Sequence, residues 1–196
     1  MDLIIASNNK NKIKEIKELL KDLNINIKSL SDVNCNIDIE ENGNTFEENA
    51  YIKASAIYKI YKCPVLADDS GLCVEALDGQ PGVYSHRYAG PECNDDKNNL
   101  KLINNLNGVL NRNAYYACAI CFIDDKANAN YAFGKIEGKI IDTPKGNNGF
   151  GYDPYFFLPE ENKTMAELSL EDKNKISHRA IALKKIGKII HETFNN

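Results

Sequence analysis

The first residues able to do chemistry follow a short apolar run at the start of the chain. Residues 3–6 predict a buried strand, and the apolar spacing over residues 13–23 predicts a helix. The loop between them enters a helix N-terminus, where free backbone N–H groups favour anions such as phosphate. Its side chains are a hydroxyl, three amides and two lysines: Ser7, Asn8, Asn9, Lys10, Asn11 and Lys12. Because the loop lacks the glycines and the Gly-Lys-Ser/Thr ending of a P-loop, a capped helix with solvated lysines is the alternative.

Carboxylates form the second group. Glu40 and Glu41 lie in one loop, and Asp68 and Asp69 follow a predicted strand over residues 64–67. Carboxylates at the carboxyl end of a strand lie where open α/β sheets bind ligands, and they suit Mg²⁺ together with phosphate oxygens and water. One of them could also accept a proton from an attacking water. The alternative interpretation of Asp-Asp-Ser-Gly is a simple turn.

A glycine-rich loop over residues 143–154 carries the third group. Phe150 has glycines on both sides, so a planar base could stack on its ring. Asp153, His178 and Arg179 could then bind the edge of that base through hydrogen bonds, with Lys173 nearby in the sequence. The alternative is an ordinary glycine turn followed by a solvated His-Arg pair at a helix start.

Alternating strands and helices must position these three groups. Thr45 and Glu48 have the spacing of a capping box, and they precede an apolar helical stripe with Lys53 near its edge. The other predicted elements are a helix over 94–106, neighbouring strands over 114–123 and 131–141, a short strand over 155–158 and helical structure from 169 onward. No repeat or linker separates them. The pattern predicts a mixed α/β fold with residues 1–196 in a single domain.

Composition excludes several classes of protein. The 24 Lys+Arg and 28 Asp+Glu residues give a formal charge of −4, which is opposite to the basic footprint of a duplex-binding protein. The hydrophobic fraction of 43% is too high for a disordered chain. From the net charge we expect no nucleic-acid partner. We also expect no membrane partner, because the apolar runs are too short for a signal peptide or a spanning helix.

Six scattered cysteines predict free thiols in a reducing cytoplasm rather than a disulfide framework. Cys118 and Cys121 have a Cys-x-x-Cys spacing, but they lie inside one predicted strand. Strand alternation would direct the two thiols to opposite faces, so a zinc site is not expected.

Taken together, the motifs resemble those of the inosine triphosphate pyrophosphatase family, also called the Ham1-like non-canonical purine nucleoside triphosphatases. The resemblance runs from Ile4 almost to the C-terminus. The motifs that carry it are Ser7-x-Asn9-x-x-Lys12, Glu40-Glu41-x-Gly43-x-Thr45-Phe46-x-Glu48-Asn49-Ala50, Ala67-Asp68-Asp69-Ser70-Gly71-Leu72, Pro81-Gly82-Val83-Tyr84-Ser85-x-Arg87-Tyr88, Gly149-Phe150-Gly151-Tyr152-Asp153-Pro154 and Ser177-His178-Arg179.

The resemblance implies a Mg²⁺-dependent hydrolase that cleaves ITP, dITP or XTP to the monophosphate and pyrophosphate and so cleanses the nucleotide pool. It also implies an elongated, two-lobed α/β homodimer, with a mixed sheet flanked by helices and an active site in the cleft between the lobes. Two departures from the family pattern, Asn8 and His86, remove no proposed catalytic group.

The same resemblance implies a role for each matching residue. Glu40 and Asp69 are expected to bind Mg²⁺, with Asp69 also activating water, while Glu41 and Asp68 could share or exchange these roles. The residues expected to hold the substrate are Ser7, Asn8, Asn9, Lys10, Asn11, Lys12 and Lys53 at the triphosphate, Ser70, and then Phe150, Gly151, Tyr152, Asp153, Lys173, His178 and Arg179 at the nucleoside.

Two alternative functions remain at this point. One is a related Maf-type pyrophosphatase that acts on pyrimidine or modified nucleotides. The other is a nucleotide-binding protein without turnover, although the carboxylates Glu40 and Asp69 argue against it.

Overall fold

The structure of the protein, a computed structural model, describes residues 1–195. Its strands and helices follow the order predicted by the sequence. In chain order they are β1 (Asp2–Ile5), α1 (Lys10–Leu19), β2 (Asn26–Ser29), α2 (Phe46–Tyr61), β3 (Val65–Val74), α3 (Asp95–Asn105), β4 (Asn113–Ile123), β5 (Ala129–Ile140), β6 (Phe156–Leu158), β7 (Lys163–Thr164), α4 (Leu170–Ile176) and α5 (His178–Asn195).

The seven strands form one sheet in the order β2-β1-β3-β4-β5-β6-β7. β1 is parallel to both β2 and β3, with Leu3 opposite Ile27 and Ile4 opposite Val65. At the other end, β6 is antiparallel to β5 and to β7. The sheet is therefore mixed, which confirms the predicted α/β class and the placement of β4 and β5 as neighbours.

The chain divides into two compact units. Unit 1 comprises residues 1–69, 118–134 and the chain from Arg179 onward, and unit 2 comprises residues 70–117 and 135–178. In unit 1, alternate residues of β1 point to opposite faces: Leu3 packs in a core with α1 and α5, whereas Ile4 packs in a core with α2. Each such buried aliphatic side chain contributes about 1.5–3 kcal/mol to folding.

Unit 2 has a core of its own. Leu102 of α3 and Leu106, which follows that helix, pack in one core with three aromatic residues. These are Tyr116 of β4, Tyr152 of the glycine-rich loop and Phe156 of β6. Through Tyr152 the glycine-rich loop belongs to this core, and Ile176 at the end of α4 packs against it.

Two elements differ from the sequence prediction. β3 continues to Val74, so Asp68, Asp69 and Ser70 lie inside a long strand and not in a turn after it. The neighbouring strands β1 and β4 supply backbone partners that override the turn preference of Asp-Asp-Ser-Gly. The C-terminal helical region is interrupted at Ser177, which is extended and ends α4.

The cysteines fit the prediction of free thiols: all six are unbridged. Cys118 packs in the core with α1 and α5 while Cys121 packs in the core with α2, so the two thiols do face opposite sides of β4. Within residues 1–195, no group of three or more His, Cys, Asp or Glu side chains is arranged to hold a metal ion, and no helix is long and apolar enough to cross a membrane.

Candidate functional site

The phosphate-binding candidates lie where β1 leads into α1. Asn9 is the N-cap of α1, and its side chain accepts hydrogen bonds from the backbone N–H groups of Asn11 and Lys12. Ser7 in turn accepts from the N–H of Asn9 at 3.2 Å. Three backbone N–H groups of the loop, those of Asn9, Asn11 and Lys12, are thus already bonded and are not free for phosphate as the sequence predicted. The exposed side chains of Asn8, Lys10 and Asn11, together with the helix dipole, remain available to an anion.

Lys12 points from this loop to the aspartate pair on β3. Its Nζ lies 3.2 Å from Oδ2 of Asp68, whose side chain is fully buried. The same Oδ2 accepts hydrogen bonds from Nε and Nη2 of Arg179, at 3.2 and 2.8 Å. Arg179 also donates to the buried carboxylate of Glu15 on α1. These four side chains form one buried network that connects α1, β3 and α5 within unit 1.

This network gives Arg179 a structural role within unit 1. Its side chain is only 1% exposed and its guanidinium is directed at two carboxylates of unit 1. Burial opposes ionisation of Asp68, but Lys12 and then Arg179 outweigh it and hold the pKa of that carboxyl well below its usual range. Asp68 is therefore a permanent anion that anchors Lys12 and Arg179.

Asp69 has different partners from its neighbour. Nδ2 of Asn49, on the buried face of α2, donates to its Oδ2 at 3.1 Å. Nζ of Lys53, one turn further along α2, lies 3.4 Å from its Oδ1 and 2.6 Å from Oε2 of Glu41. Lys53 thus connects two carboxylates from different parts of unit 1.

The charges in this cluster follow from burial and proximity. Burial raises the pKa of Asp69 above its usual value; Lys53 and Lys12 oppose that effect, and Glu41 adds to it. Burial acts against the charge of Lys53, but Asp69 and Glu41 raise the pKa of its ammonium nonetheless. Lys53 is therefore cationic, and Asp69 is a stronger base than an exposed aspartate.

Glu40 and Glu41 are distinguished by their contacts. Among residues 1–195, the described contacts connect Glu41 to Asp69 through Lys53, whereas Glu40 is exposed to solvent. The structure therefore favours Glu41 over Glu40 as the second carboxylate of the cluster. The sequence left this exchange of roles open, because two adjacent glutamates in a loop look equivalent until a partner is known.

The donor set of this cluster fits a Mg²⁺ ion. Mg²⁺ is commonly held by one or two carboxylates plus phosphate oxygens and water, so the absence of a larger ligand group in the described chain is compatible with it. Asp69 and Glu41 already share one cation, the ammonium of Lys53. In addition, Oδ1 of Asp68 is buried without a hydrogen-bond partner in the described residues, so it has unused acceptor capacity in the same cluster.

Cys118 lies close to the aspartates without being suited to catalysis. Its Sγ is 4.0 Å from Oδ2 of Asp68. Burial, and then the negative charge of Asp68, raise the pKa of this thiol to about 12. The thiol is therefore protonated at neutral pH and is a poor nucleophile.

The glycine-rich loop of unit 2 is organised around Asp153. Its buried Oδ2 accepts from the backbone N–H of Phe150 at 3.0 Å and from Nζ of Lys173 at 2.7 Å. The same Nζ lies 4.9 Å from the centroid of the half-buried Phe150 ring. Lys173 on α4 therefore holds both the carboxylate and the aromatic ring that the sequence proposed for nucleoside binding.

Side chains of helix α3 form hydrogen bonds with both backbone groups of Gly151 in the same loop. Oδ2 of Asp95 accepts from the Gly151 N–H at 2.8 Å, and Nδ2 of Asn99 donates to the Gly151 carbonyl at 2.9 Å. Tyr152 is directed into the core instead, and its hydroxyl donates to the carbonyl of Ser85. The Tyr152 ring is therefore part of the core beneath the loop and is not exposed on the surface of the loop.

His178, the first residue of α5, is 5% exposed and stacks on Tyr116 of β4, with ring centroids 4.8 Å apart and planes 12° apart. Ser70 is partly exposed in β3. The structure therefore brings the candidates together as two groups: the loop, lysine and carboxylate residues with Arg179 in unit 1, and Ser70, the glycine-rich loop, Lys173 and His178 in unit 2.

Replacing Gly149 by alanine tests the organisation of this loop. Its φ is +76°, and an added Cβ would lie 2.0 Å from Oδ2 of Asp153. Gly108→Ala is the matched control, since its φ is +74° and no atom lies within 4 Å of the added Cβ. Both variants incur the strain of a left-handed residue, about 1–2 kcal/mol. Only Gly149→Ala disturbs Asp153, so we expect it alone to raise the KM for a purine nucleotide, by about tenfold.

That prediction is checked by measuring KM and the free energy of unfolding for both variants. Equal KM values in Gly149→Ala, Gly108→Ala and the wild type would show that Asp153 does not support nucleotide binding.

Sequence analysis gave no role to Asn49, Glu15 or Tyr116, which contact the candidates directly. Asn49 and Glu15 are polar residues on buried faces of α2 and α1, and a polar side chain at an apolar helical position is a signal that can be found in a sequence. Tyr116 lies in a continuous apolar run, where its hydroxyl gives no periodic signal.

The sequence is similar to known proteins over nearly its full length. The profile of the Ham1 family matches residues 3–189. A dITP/XTP pyrophosphatase of Clostridium perfringens is 50% identical over 191 residues, covering 93% of this chain and 94% of that protein. A dITP/XTP pyrophosphatase of Bacillus subtilis is 45% identical over 191 residues, covering 96% of each.

The fold has solved counterparts as well. The structure of the Staphylococcus aureus Ham1 protein superposes with a TM-score of 0.88 at 41% identity, covering 98% of this chain and 99% of that one. A HAM1 protein from Coxiella burnetii gives the same TM-score and coverage at 40% identity.

Proposed function

Because the chain belongs to the Ham1 family, we propose that it is a nucleoside triphosphate pyrophosphatase that hydrolyses dITP, XTP and ITP to the monophosphate and pyrophosphate. The observation that carries this proposal is the pair of buried aspartates on β3 with a lysine beside each: Lys12 at Asp68 and Lys53 at Asp69. Carboxylates that can accept a proton, adjacent to cations that can offset phosphate charge, are what phosphoanhydride hydrolysis requires. Removing such triphosphates would keep deaminated purines out of the nucleotide pool.

The proposed reaction is attack of water on the α-phosphorus. The bond between water oxygen and phosphorus forms, the bond from phosphorus to the α–β bridging oxygen breaks, and pyrophosphate leaves with that oxygen. Asp69, oriented by the hydrogen bond from Asn49, accepts the proton from water. Lys12 and Lys53 offset the negative charge that increases on the phosphate oxygens, and the start of α1 orients the triphosphate.

We propose Glu41 and Asp69 as the protein ligands of Mg²⁺, with Glu40 outside the metal site. When bound there, the ion would act as a Lewis acid towards the phosphate oxygens and lower the pKa of bound water. This assignment rests on the shared contact of both carboxylates with Lys53.

Glutamine substitutions at the adjacent glutamates test this assignment. Glu41→Gln should lower kcat/KM at a fixed Mg²⁺ concentration by about 100-fold and increase the Mg²⁺ concentration needed for half-maximal activity. Glu40→Gln removes an equal charge from an exposed position and should change both quantities less than about threefold. Titrating activity with MgCl₂ for both variants provides the measurement. The opposite pattern would assign the metal to Glu40.

Base selection is proposed to involve the loop of unit 2, with Phe150, Asp153, Lys173 and His178 as the groups nearest the purine. A pocket that donates hydrogen bonds to a 6-oxo group leaves donors facing donors when the 6-amino group of adenine enters. Each such unpaired buried donor costs about 1–3 kcal/mol, or roughly tenfold to hundredfold in discrimination.

A nucleotide panel tests the proposed function directly. We expect the purified chain to release pyrophosphate from ITP, dITP and XTP with MgCl₂ and not with EDTA, and much more slowly from ATP and GTP. GTP shares the 6-oxo group, so its exclusion has to involve the 2-amino position. Preference for dTTP or a modified UTP would instead indicate a Maf-type enzyme. Tight ITP binding without pyrophosphate release would indicate a binding protein without turnover.

We also propose that the chain forms a homodimer in the cytoplasm. Tyr51, Tyr131 and Phe133 are between 38% and 51% exposed in unit 1, and an apolar patch of this kind supports self-association. The unbridged cysteines support a reducing compartment. A single-chain mass in light scattering of the purified protein would contradict the dimer.

A further inference from the structure

Two side chains of α3 hold one residue of the glycine-rich loop. Asp95 and Asn99 are four positions apart and therefore lie on the same side of the helix. Oδ2 of Asp95 accepts a hydrogen bond from the Gly151 N–H at 2.8 Å, and Nδ2 of Asn99 donates to the Gly151 carbonyl at 2.9 Å. The two bonds fix the peptide groups on either side of the Gly151 Cα. No atom lies within 4 Å of a Cβ added there, so these bonds, and not crowding at that position, restrain a residue whose φ is +62°.

The restraint extends to the ring of Phe150. The Phe150 N–H donates to Oδ2 of Asp153 at 3.0 Å, and the next N–H along the chain, that of Gly151, donates to Asp95. Both peptide groups around the Phe150 Cα therefore have a fixed partner, and together they set the direction of its side chain. The ring centroid lies 4.9 Å from Nζ of Lys173. Asp95 is thus one of the contacts that hold the ring proposed to stack on a purine.

Helix α3 is itself firmly attached to unit 2. Leu102 packs in the core of that unit. Oδ1 of the buried Asn98 accepts from the Ala89 N–H at 2.7 Å, and its Nδ2 donates to the His86 carbonyl at 2.9 Å. A helix anchored both in the core and to a neighbouring segment is a rigid support for the two side chains that hold the loop.

The amide of Asn99 is costly for stability. The residue is 7% exposed, and its Oδ1 is buried without a hydrogen-bond partner within residues 1–195. Such an unpaired acceptor destabilises a fold, and an apolar side chain of similar size would not have this cost. Gly151 is only half-buried, so its carbonyl can bond to water when the amide is absent. The Asn99 amide is therefore explained by the loop that it holds and not by the stability of the helix.

We propose that Asp95 and Asn99 are positioning residues for purine binding, which hold Gly151 from two sides and keep the Phe150 ring ready to stack on the base. This inference rests on the proposed function of the loop as the base pocket, and it deepens that function by naming the helix that preorganises the pocket. Neither residue contacts the nucleotide in this proposal. They reduce the freedom that the loop loses on binding, so their removal should raise KM and leave kcat nearly unchanged.

Asp95 is tested by a pair of substitutions. Asp95→Ala removes the acceptor of the Gly151 N–H, so KM for ITP should rise about fivefold while kcat changes less than about twofold. Asp95→Asn keeps an oxygen that can accept the same bond and should restore KM to within about twofold of the wild type.

The matched control is Asp96→Ala. Asp96 is the next residue in the first turn of α3 and is exposed like Asp95, so this variant removes the same charge from the same helix N-terminus. KM should stay at the wild-type value. If Asp96→Ala raises KM as much as Asp95→Ala does, the effect comes from the charge of the helix start and the positioning role is refuted.

Asn99→Leu separates positioning from stability. It keeps the size of the side chain, removes the bond to the Gly151 carbonyl and also removes the unpaired Oδ1. We expect KM for ITP to rise about tenfold while the midpoint of urea unfolding stays equal or increases. A lower midpoint with an unchanged KM would make Asn99 a structural residue and refute its positioning role.

Amide exchange makes the inference independent of turnover. Labelling with carbonyl-¹³C phenylalanine and ¹⁵N glycine selects the two Phe-Gly peptide groups of the chain, at Gly134 and Gly151. Gly134 lies in β5 and serves as the internal reference. The Gly151 N–H should exchange at least about tenfold faster in Asp95→Ala than in the wild type or Asp96→Ala. Equal exchange rates at Gly151 in these three proteins would overturn the proposed restraint.

Calorimetric titration with IMP separates this inference from the function itself. If the wild type releases no pyrophosphate from any purine triphosphate, the proposed activity fails, yet weaker IMP binding by Asp95→Ala than by Asp96→Ala still supports the positioning role. Equal IMP affinities in those two variants, or no IMP binding by the wild type, would refute it whatever the activity.

Discussion

Asp69→Asn is expected to lower kcat for ITP hydrolysis by at least about 1000-fold, because an amide cannot accept the proton of the attacking water. The substitution preserves shape, and the amide oxygen can still accept the hydrogen bond that Asn49 now donates to the carboxylate at 3.1 Å. We therefore expect the fold to remain intact. Initial rates of pyrophosphate release measure the effect, and far-ultraviolet circular dichroism with thermal unfolding verifies the fold.

Asn49→Ala is an informative companion to that variant. It leaves the Asp69 carboxylate in place but removes its orienting partner, so it should lower kcat by a smaller factor, about tenfold. Retention of more than about a tenth of wild-type turnover by Asp69→Asn would eliminate Asp69 as the base. The companion variant would then be expected to have little effect as well.

Arg179→Met should have the largest effect on stability, lowering the free energy of unfolding by about 3–5 kcal/mol. The guanidinium is 1% exposed and neutralises Asp68 and Glu15, so its removal leaves two buried carboxylates, of which Asp68 keeps its contact with Lys12. Urea denaturation followed by circular dichroism measures the loss. Adding Glu15→Gln to the Arg179→Met variant removes one of the uncompensated charges and should restore part of the stability.

Lys28→Met is the matched control for that loss. Its ammonium pairs with Asp2 at 2.6 Å, but both side chains are 38% exposed, so we expect the free energy of unfolding to change far less than in Arg179→Met. The residual activity of Arg179→Met should keep the wild-type preference for ITP over GTP. A collapse of that preference with little change in stability would instead support the base-binding role that the sequence resemblance implied for Arg179.

Local features of the fold were accessible from the sequence because they depend on near neighbours. Thr45 caps α2 by accepting from the Glu48 N–H, as the three-residue spacing predicts, although Glu48 reaches back to the N–H of Asn44 rather than to that of Thr45. The alternation in β1 and the helical stripe of α2 likewise follow from periodicity. The opposite faces of Cys118 and Cys121 were predictable for the same reason.

Family membership and the order of strands and helices were thus determined by the sequence. The sequence did not determine which of two adjacent, chemically similar residues takes a given role. Glu40 and Glu41 are adjacent and chemically alike, and only the contact with Lys53 distinguishes them. The Asp-Asp-Ser-Gly segment looks like a turn, and only its strand neighbours make it part of β3.

Arg179 illustrates the physical reason most clearly. It is 111 positions from Asp68 in the chain, so neither periodicity nor spacing contains the information that the two side chains form a buried ion pair. Sequence patterns encode the interactions of residues that are close along the chain, such as caps and apolar stripes. The partners of buried charges depend on which elements pack together, and that was decided by the tertiary structure alone.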